Sequence, residues 1–368
     1  MKRGSAKKGA SFSGKESAAG EKLPHILVIR LSAMGDVAMV VPVIRVLTSA
    51  YPGLKITVLT RAFFAPMFAG IPNVLVYEAD VNGVHSGIIG LGRLAKELRD
   101  EEIDLVADLH DVLRSNVLNS VFYLFGIPVK QIDKGRSEKK ALTRAENKIF
   151  RPLKSTHQRY ADVFEALGYP VNLEEHHFKQ SLPLSAEVKS FTGAHDIKWL
   201  GIAPFAQHAS KSYPSDLMEE VLESLQNKQN IRIFLFGGGA SELPKLQEWE
   251  KKFAEIHSVA GKFSFEEELA LISNLDVMLS MDSGNGHMAA MYEVPVITVW
   301  GLTHPYAGFV PFNQPIENSI LPDLEKYPLI PTSIYGKTVP EGYKDAMRSI
   351  PPANIVNSVI EVLDNNRM

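Results

Sequence analysis

A polar turn at residues 282–287 (DSGNGH) carries the residue types that could bind a phosphate group. It follows an apolar segment that predicts a strand, and it precedes a short predicted helix. An Asp or Ser at the start of a helix can accept hydrogen bonds from the first backbone amides, and those amides together with the helix dipole attract an anion. Glycine lets a phosphate approach the backbone closely. The turn therefore indicates a phosphate site, although an ordinary capped turn could have the same sequence.

Three further polar turns also follow predicted strands, at residues 32–36, 206–211 and 237–242. Ligands of open α/β sheets bind beyond the carboxyl ends of the strands. Two such domains facing one another would place the first turn opposite the other three. The cleft between them is then the expected active site.

The common cofactor and metal signatures do not occur in the chain. The first turn, RLSAMGD, has one glycine where a nicotinamide-binding turn has G-x-G-x-x-G. There is no phosphate loop of the form G-x-x-x-x-G-K-[ST], no G-x-S-x-G nucleophile turn, and no H-E-x-x-H or D-x-D metal signature. We therefore expect neither a cofactor nor a metal.

Apolar runs that predict strands alternate with helical segments along the chain. Four such runs lie at residues 26–31, 55–60, 73–77 and 104–109, and the alternation restarts at residues 199–203. This alternation predicts βαβ units, parallel sheets and helices on both faces. The fold class is therefore α/β with two Rossmann-like halves. We predict a tail at 1–22, a first domain at 23–180, a second at 181–350 and a terminal helix at 351–368.

The bulk composition excludes several classes of protein. The 368 residues include no cysteine, which excludes disulfides and thiolate metal sites, and no apolar run is long enough to predict a membrane-spanning helix. Residues 1–22 form a basic tail that we expect to be disordered. Because the whole chain carries a net charge of −3, the rest is acidic, which argues against a general nucleic-acid binder.

Two segments break the regular alternation. Residues 134–159 hold nine Lys or Arg against Glu138 and Glu146, which fits an anionic partner or a solvated helix face. Residues 311–352 are rich in proline and show no periodicity. We expect this excursion to lie on the surface.

Several of these motifs together resemble the ADP-heptose lipopolysaccharide heptosyltransferases, glycosyltransferase family 9. They are RLSAMGD at residues 30–36 followed by Pro42, Lys211 before Tyr213-Pro214, the turn at 237–242, and DSGNGHMAA at 282–290. Their order and spacing match from His25 to Leu363. The resemblance implies a GT-B fold with the acceptor on the first domain and the nucleotide sugar on the second. It also implies that the final helix crosses back to the first domain.

The resemblance further implies a metal-independent, inverting transfer of heptose from ADP-heptose to the lipopolysaccharide inner core. By position, Asp36 is the general base and Lys211 meets the donor diphosphate. Glu242 corresponds to the acid that reaches the ribose, and Phe263 to the apolar side chain against the base. The remaining correspondences are Asp282, Ser283, Gly284 and His287 for phosphate and sugar, and Ser32, Arg114, His157 and Arg159 for the acceptor.

Other interpretations stay open for these residues and for the function. Asp36 could be a helix cap, Lys211 a solvated lysine, His287 a histidine bonded within its turn, and Phe263 a core residue. The segment at 206–210 departs from the family pattern, which leaves the identity of the donor open. The excursion at 311–352 has no clear counterpart in the shorter members of the family, so it could shape the choice of acceptor. The alternative functions are a GT-B enzyme with another nucleotide-sugar donor, an epimerase, or a non-catalytic glycan-binding scaffold. We expect a cytoplasmic protein, peripheral at the inner face of the membrane, that binds a lipid-linked phosphorylated saccharide and no nucleic acid.

Overall fold

The computed structural model describes residues 23–176, 181–228 and 230–365. The predicted basic tail at 1–22 lies outside the described residues. The chain forms two compact units. Within the described part, the first unit contains residues 23–134 and 157–176, and the second contains residues 135–156 and everything from 181 onward.

The first unit is built on a parallel sheet in the order β3-β2-β1-β4-β5. Its strands are β1 (His25–Ile29), β2 (Lys55–Thr60), β3 (Val74–Glu78), β4 (Leu105–Asp108) and β5 (Val129–Gln131). Its helices are α1 (Met34–Ala38), α2 (Val40–Ala50), α3 (Gly87–Arg99) and α4 (Leu113–Leu124). The central strand β1 is buried along its whole length, which explains its continuous apolar sequence.

The chain then passes through the second unit and returns. Helix α5 (Arg136–Thr143) belongs to the second unit, and α6 (Thr156–Ala166) leads back into the first. The predicted first domain at 23–180 included residues 135–156, and the structure differs there. Leu153 N donates to Tyr306 O at 2.9 Å and Thr156 N to Gly308 O at 2.8 Å, so backbone hydrogen bonds attach this segment to the second unit.

The second unit has a parallel sheet in the order β11-β10-β9-β6-β7-β8. Its strands are β6 (Lys198–Ala203), β7 (Ile231–Leu235), β8 (Ile256–Ser258), β9 (Val277–Met281), β10 (Val296–Val299) and β11 (Ser319–Ile320). Its further helices are α7 (Ala186–Thr192), α8 (Ser215–Gln226), α9 (Leu243–Lys252), α10 (Phe265–Ser273), α11 (Gly284–Ala290) and α12 (Pro352–Asn365).

Helix α12 presents buried apolar residues to the core of the second unit. Ile355, Val359 and Leu363 lie one helical turn apart and are buried in the same cluster as residues of α8 and β9. The helix is therefore part of the second unit and not the separate segment that the sequence predicted. Its crossing back to the first unit stays a prediction.

The proline-rich excursion is not wholly a surface feature. Tyr327, Ile330 and Ala346 are buried against Leu302 and form a small core of their own. The expectation of a surface excursion is wrong in this respect, because apolar residues spaced irregularly along a coil can still converge. No helix in the described ranges is long and apolar enough to cross a membrane.

Candidate active site

Asp36 lies just beyond the carboxyl end of β1, as the third residue of α1. Its Oδ2 forms an ion pair with Arg30 Nη2, and Ala33 N lies 3.4 Å from the same oxygen. Arg30 is fixed in turn, since its Nη1 donates to Leu109 O at 2.7 Å. The Asp36 side chain is 26% exposed and that of Arg30 is 7% exposed. Within the described residues no hydrogen bond or ion pair involves Asp36 Oδ1, so the carboxylate is held through Oδ2 and its side chain is partly exposed.

Helix α6 contacts the backbone of Asp36 and the side chain of its partner Arg30. The Tyr160 hydroxyl donates to Asp36 O at 3.3 Å, and Arg30 Cζ lies 6.0 Å from the Tyr160 ring centroid. Arg159 and His157, predicted to bind the acceptor, are each only 4% exposed. Arg159 donates from Nη1 to Asp133 O at 3.1 Å. In this structure both side chains are therefore placed inside the unit and not on an open surface.

Ser32 lies beside a buried histidine. Ser32 Oγ is 3.5 Å from His110 Nε2, and Leu31 N is 3.5 Å from His110 Nδ1. Burial, together with the positive charges of Arg30 and Lys134, lowers the pKa of His110 to about 4. The imidazole is therefore neutral near pH 7 and carries no charge into the site.

Asp108 fixes the position of His110. Its buried carboxylate accepts from His110 N at 2.8 Å, from Asn119 Nδ2 at 2.7 Å and from Gln131 Nε2 at 2.8 Å. The end of β4 is thereby a rigid support. Arg114 differs from these residues, because it is exposed at the start of α4 and makes no ion pair or hydrogen bond within the described ranges.

In the second unit, Asp282 directly follows β9 and joins two neighbouring segments. Its Oδ2 lies 2.9 Å from Lys211 Nζ and accepts from Thr303 Oγ1 at 2.8 Å. The side chains of Lys211 and Asp282 are 14% and 10% exposed. Lys211 is therefore not a solvated lysine. The carboxylate of Asp282 forms this ion pair and does not cap a helix.

The rest of the predicted turn starts α11. Helix α11 begins at Gly284, and Ser283 precedes it in an extended conformation. Ser283 Oγ lies 3.3 Å from Ser280 Oγ. His287 lies within α11 and is buried. The predicted sequence of strand, turn and helix is thus confirmed, and the glycine stands at the first helical residue.

The two remaining predicted donor residues follow β7 and β8. Glu242 Oε2 accepts from Gly238 N at 3.0 Å and Gly239 N at 3.3 Å, so its carboxylate closes its own turn. Phe263 is half-buried, and its ring centroid lies 5.2 Å from that of Phe191. Phe263 therefore packs against Phe191 and is also partly exposed to solvent.

The strand order places all these residues along one edge of one sheet. Asp282, Lys211, Glu242 and Phe263 follow β9, β6, β7 and β8, which are consecutive neighbours in the sheet. Three strand intervals of about 4.8 Å make an edge of roughly 14 Å. An extended nucleotide sugar can lie along such an edge, with its phosphates near Lys211 and its base near Phe263.

Sequence reasoning missed Thr303 and gave Arg30 no role of its own. Thr303 comes after β10 and Asp282 comes after β9, and these strands are neighbours in the sheet. The order of the predicted strands could therefore have indicated Thr303. Arg30 stands at the end of β1, where a charged residue after an apolar run needs a partner. No group of three or more His, Cys, Asp or Glu side chains that could hold a metal occurs in the described ranges.

Comparison with solved structures gives the class of protein. The glycosyl transferase family 9 structure from Veillonella parvula aligns with 95% of this chain and all of its own, with a TM-score of 0.72 and 19% identity. The Escherichia coli ADP-heptose lipopolysaccharide heptosyltransferase II aligns with 94% of this chain and all of its own, with a TM-score of 0.65 and 20% identity. The chain therefore has the GT-B fold, with two α/β units that each contain a parallel sheet. The predicted fold class is confirmed.

Sequence comparison gives the family. The chain is 25% identical over 297 residues to lipopolysaccharide core heptosyltransferase OpsX of Haemophilus influenzae, covering 78% of this chain and 82% of the relative. It is 26% identical over 281 residues to lipopolysaccharide heptosyltransferase 3 of Escherichia coli, covering 73% and 80%. The model of glycosyltransferase family 9 (heptosyltransferase) matches residues 91–329, and the chain belongs to this family of transferases. The predicted enzyme class is confirmed.

Proposed function

We propose that this enzyme transfers heptose from ADP-heptose to a lipopolysaccharide inner-core acceptor, with inversion and without a metal. The names of the relatives support the sugar and the acceptor. The observation that carries the proposal is the cluster of Lys211, Asp282 and Thr303 at the carboxyl edge of the second sheet. One fixed cation at this edge suits a diphosphate, and the residues after β7 and β8 continue along the length of a nucleotide.

On the donor side, Lys211 contacts the diphosphate and stabilises the negative charge that grows as ADP leaves. Asp282 holds the lysine before the donor binds, and Thr303 holds Asp282. Ser283, Gly284 and His287 border the sugar and the nearer phosphate. Glu242 reaches the ribose and Phe263 lies against the base.

On the acceptor side, Asp36 is the general base. The acceptor hydroxyl oxygen forms a bond to the anomeric carbon while the bond from that carbon to the phosphate oxygen breaks. The hydroxyl proton passes to Asp36 Oδ1, and the electron pair leaves with ADP. A single displacement of this kind inverts the configuration at the anomeric carbon. Arg30 keeps the carboxylate in place throughout, because it contacts the other oxygen.

Of the predicted acceptor residues, Ser32 is half-buried and Arg114 is exposed, which supports their direct contact with the acceptor. Arg114 is exposed and can pair with a phosphate or carboxylate of the acceptor. For His157 and Arg159 we propose an indirect part in acceptor binding, because both side chains are buried and Arg159 donates to Asp133 O. Substitution of Arg114 should therefore weaken acceptor binding without loss of stability.

We also propose that the enzyme works in the cytoplasm at the inner face of the membrane. Ile149 and Phe150 are each 46% exposed, and Arg151 beside them is exposed as well. Apolar side chains next to a cation favour an anionic lipid surface. Sedimentation with vesicles that contain anionic lipid tests this, and Phe150→Ser should reduce the bound fraction if the proposal holds.

A nucleotide titration tests the donor assignment directly. Purified protein is titrated with ADP, UDP, GDP and ADP-heptose without added metal, for the wild type, Lys211→Ala and Lys198→Ala. Lys198 is a matched control because it pairs with Asp276 at 2.7 Å, at the opposite end of β6 and β9.

The expected result is selective binding of ADP species that Lys211→Ala weakens by about tenfold or more, the scale of one charge-assisted hydrogen bond. Lys198→Ala should leave the affinity unchanged. Preference for UDP or GDP would overturn the heptose assignment while keeping the transferase. Equal losses in both variants would show that Lys211 has no special contact with the nucleotide.

A further inference from the structure

The proline-rich excursion, residues 311–352, brings a glycine against the side chain of Lys211. Gly336 adopts a left-handed conformation with φ of 76°. A methyl group on its Cα would lie 2.7 Å from Lys211 Cγ and 2.8 Å from Lys211 Cδ, well inside the contact distance of two carbons. The aliphatic stem of Lys211 therefore lies directly on the backbone of Gly336, which is an approach that only glycine permits.

Hydrogen bonds anchor the turn that carries Gly336. Ser210 Oγ donates to Gly336 O, and Thr332 N donates to Leu302 O at 3.0 Å. Thr332 Oγ1 donates to Thr338 O at 2.6 Å, and Leu302 N donates to Ser210 O at 3.0 Å. The excursion, the segment after β10 and the short 3₁₀ helix that ends at Lys211 are thus tied together.

A second glycine lies against the backbone of the lysine. A methyl group on Gly301, the second residue after β10, would lie 1.9 Å from Ser210 O and 2.9 Å from Lys211 Cα. The backbone of Lys211 is pressed against Gly301, its stem against Gly336, and its ammonium against Asp282. A free lysine loses much rotamer freedom when it binds a ligand, and a lysine fixed in advance loses less.

We propose that Gly336 is a positioning residue that presets Lys211 for the donor diphosphate. The inference rests on the proposed donor role of Lys211. It places this part of the excursion on the donor side of the reaction, whereas the sequence suggested an influence on the acceptor. The excursion then acts on nucleotide affinity through one backbone contact with the Lys211 stem.

Gly342 supplies a matched control for the test. It lies in the same excursion with φ of 77°, and a methyl group on it would meet nothing within 4 Å. Alanine strains the backbone similarly at both positions, and only Gly336→Ala adds close contacts, with the Lys211 stem and with Ser210 Oγ at 2.8 Å. We expect Gly336→Ala to raise the Kd for ADP about fivefold to tenfold, a part of what loss of one charge-assisted hydrogen bond costs. Gly342→Ala should leave the Kd within about twofold, and equal losses in the two variants would overturn the proposal.

A second background separates positioning from a general structural effect. In Lys211→Ala, the further change Gly336→Ala should leave the Kd for ADP unaltered, because the side chain that Gly336 positions is gone. A further loss of the same size in that background would overturn the inference. Ser210→Ala removes the anchor without adding bulk, and it should raise the Kd about twofold to threefold even if Gly336→Ala folds poorly. An unchanged Kd in Ser210→Ala would count against the anchored turn.

The outcomes also separate this inference from the proposed function. If Lys211→Ala alone leaves ADP binding unchanged, the donor role of Lys211 fails and the inference fails with it. If Lys211→Ala weakens ADP binding but Gly336→Ala behaves as Gly342→Ala does, only the positioning role fails.

Discussion

Asp36→Asn tests the proposed proton transfer with the least change of shape. The amide has the size of the carboxylate, but it cannot accept a proton from the acceptor hydroxyl. Removal of a general base typically slows a reaction about 10²–10⁴-fold, equal to roughly 2.7–5.5 kcal/mol of barrier. Because Asp36 lies in the first unit and the predicted donor residues lie in the second, we expect kcat to fall at least 100-fold, on that scale, with donor affinity unchanged.

The same substitution has a structural cost that must be measured separately. Arg30 is 7% exposed and would lose its charged partner while keeping Leu109 O at 2.7 Å. Loss of such a partner costs on the order of 1–3 kcal/mol of folding free energy. Asp100→Asn is the control, because Asp100 pairs with Arg99 at 3.5 Å on the surface, where such pairs contribute little.

The assay is ADP release in a single turnover from ADP-heptose, with and without acceptor, alongside thermal unfolding of each variant. Asp36→Asn should lose the acceptor-dependent release while its Tm stays above the assay temperature. Asp100→Asn should match the wild type in both measurements. A folded Asp36→Asn protein with kcat within about threefold of wild type would refute the general-base assignment.

Further predictions concern the residues that support the two sites. Thr303→Val removes a hydrogen bond to Asp282 and should weaken ADP binding about fivefold in a titration, whereas an unchanged Kd would show that Asp282 needs no such support. The lowered pKa of His110 means that the unfolded chain takes up a proton first as pH falls. The free energy of unfolding should therefore decrease as the pH falls from about 6.5 to 4, with a maximal slope of about 1.4 kcal/mol per pH unit for this group. Urea titrations of His110→Gln should show a smaller decrease over the same pH range. Asp108→Ala leaves several donors without their acceptor and should lower the free energy of unfolding by about 3 kcal/mol, which chemical denaturation measures; a loss below about 1 kcal/mol would contradict the support role.

The strands and the polar turns could be predicted because their signals are local. Strand β1 and strand β9 are buried throughout, so they appear as continuous apolar runs, and each is followed at once by polar residues. Since parallel strands present their carboxyl ends at one edge, Lys211 and Asp282 could be expected to lie near each other. In the structure Lys211 Nζ lies 2.9 Å from Asp282 Oδ2.

Other features depend on contacts that no local pattern reports. The basic segment at residues 135–156 lacks a periodic apolar face, and hydrogen bonds to residues 306 and 308 decide which unit holds it. Arg159 is 4% exposed and donates to Asp133 O at 3.1 Å, and its local sequence does not indicate this burial. Gly336 meets Lys211 across more than a hundred residues, and glycine in a proline-rich coil suggests only a turn.

Both proposed half-sites use a cation paired with an aspartate, and the burial of the partners differs in a way that fits their roles. In the first unit the cation is the more buried partner, with Arg30 7% and Asp36 26% exposed. In the second unit the two partners are buried to a similar degree and the cation is slightly the more exposed, with Lys211 14% and Asp282 10% exposed. A proton acceptor must present its carboxylate to the substrate, whereas a diphosphate site must present its cation. An ion pair between a cation and an aspartate can therefore serve two purposes. In each unit the more buried partner positions the other one, which accepts the proton in the first unit and binds the diphosphate in the second.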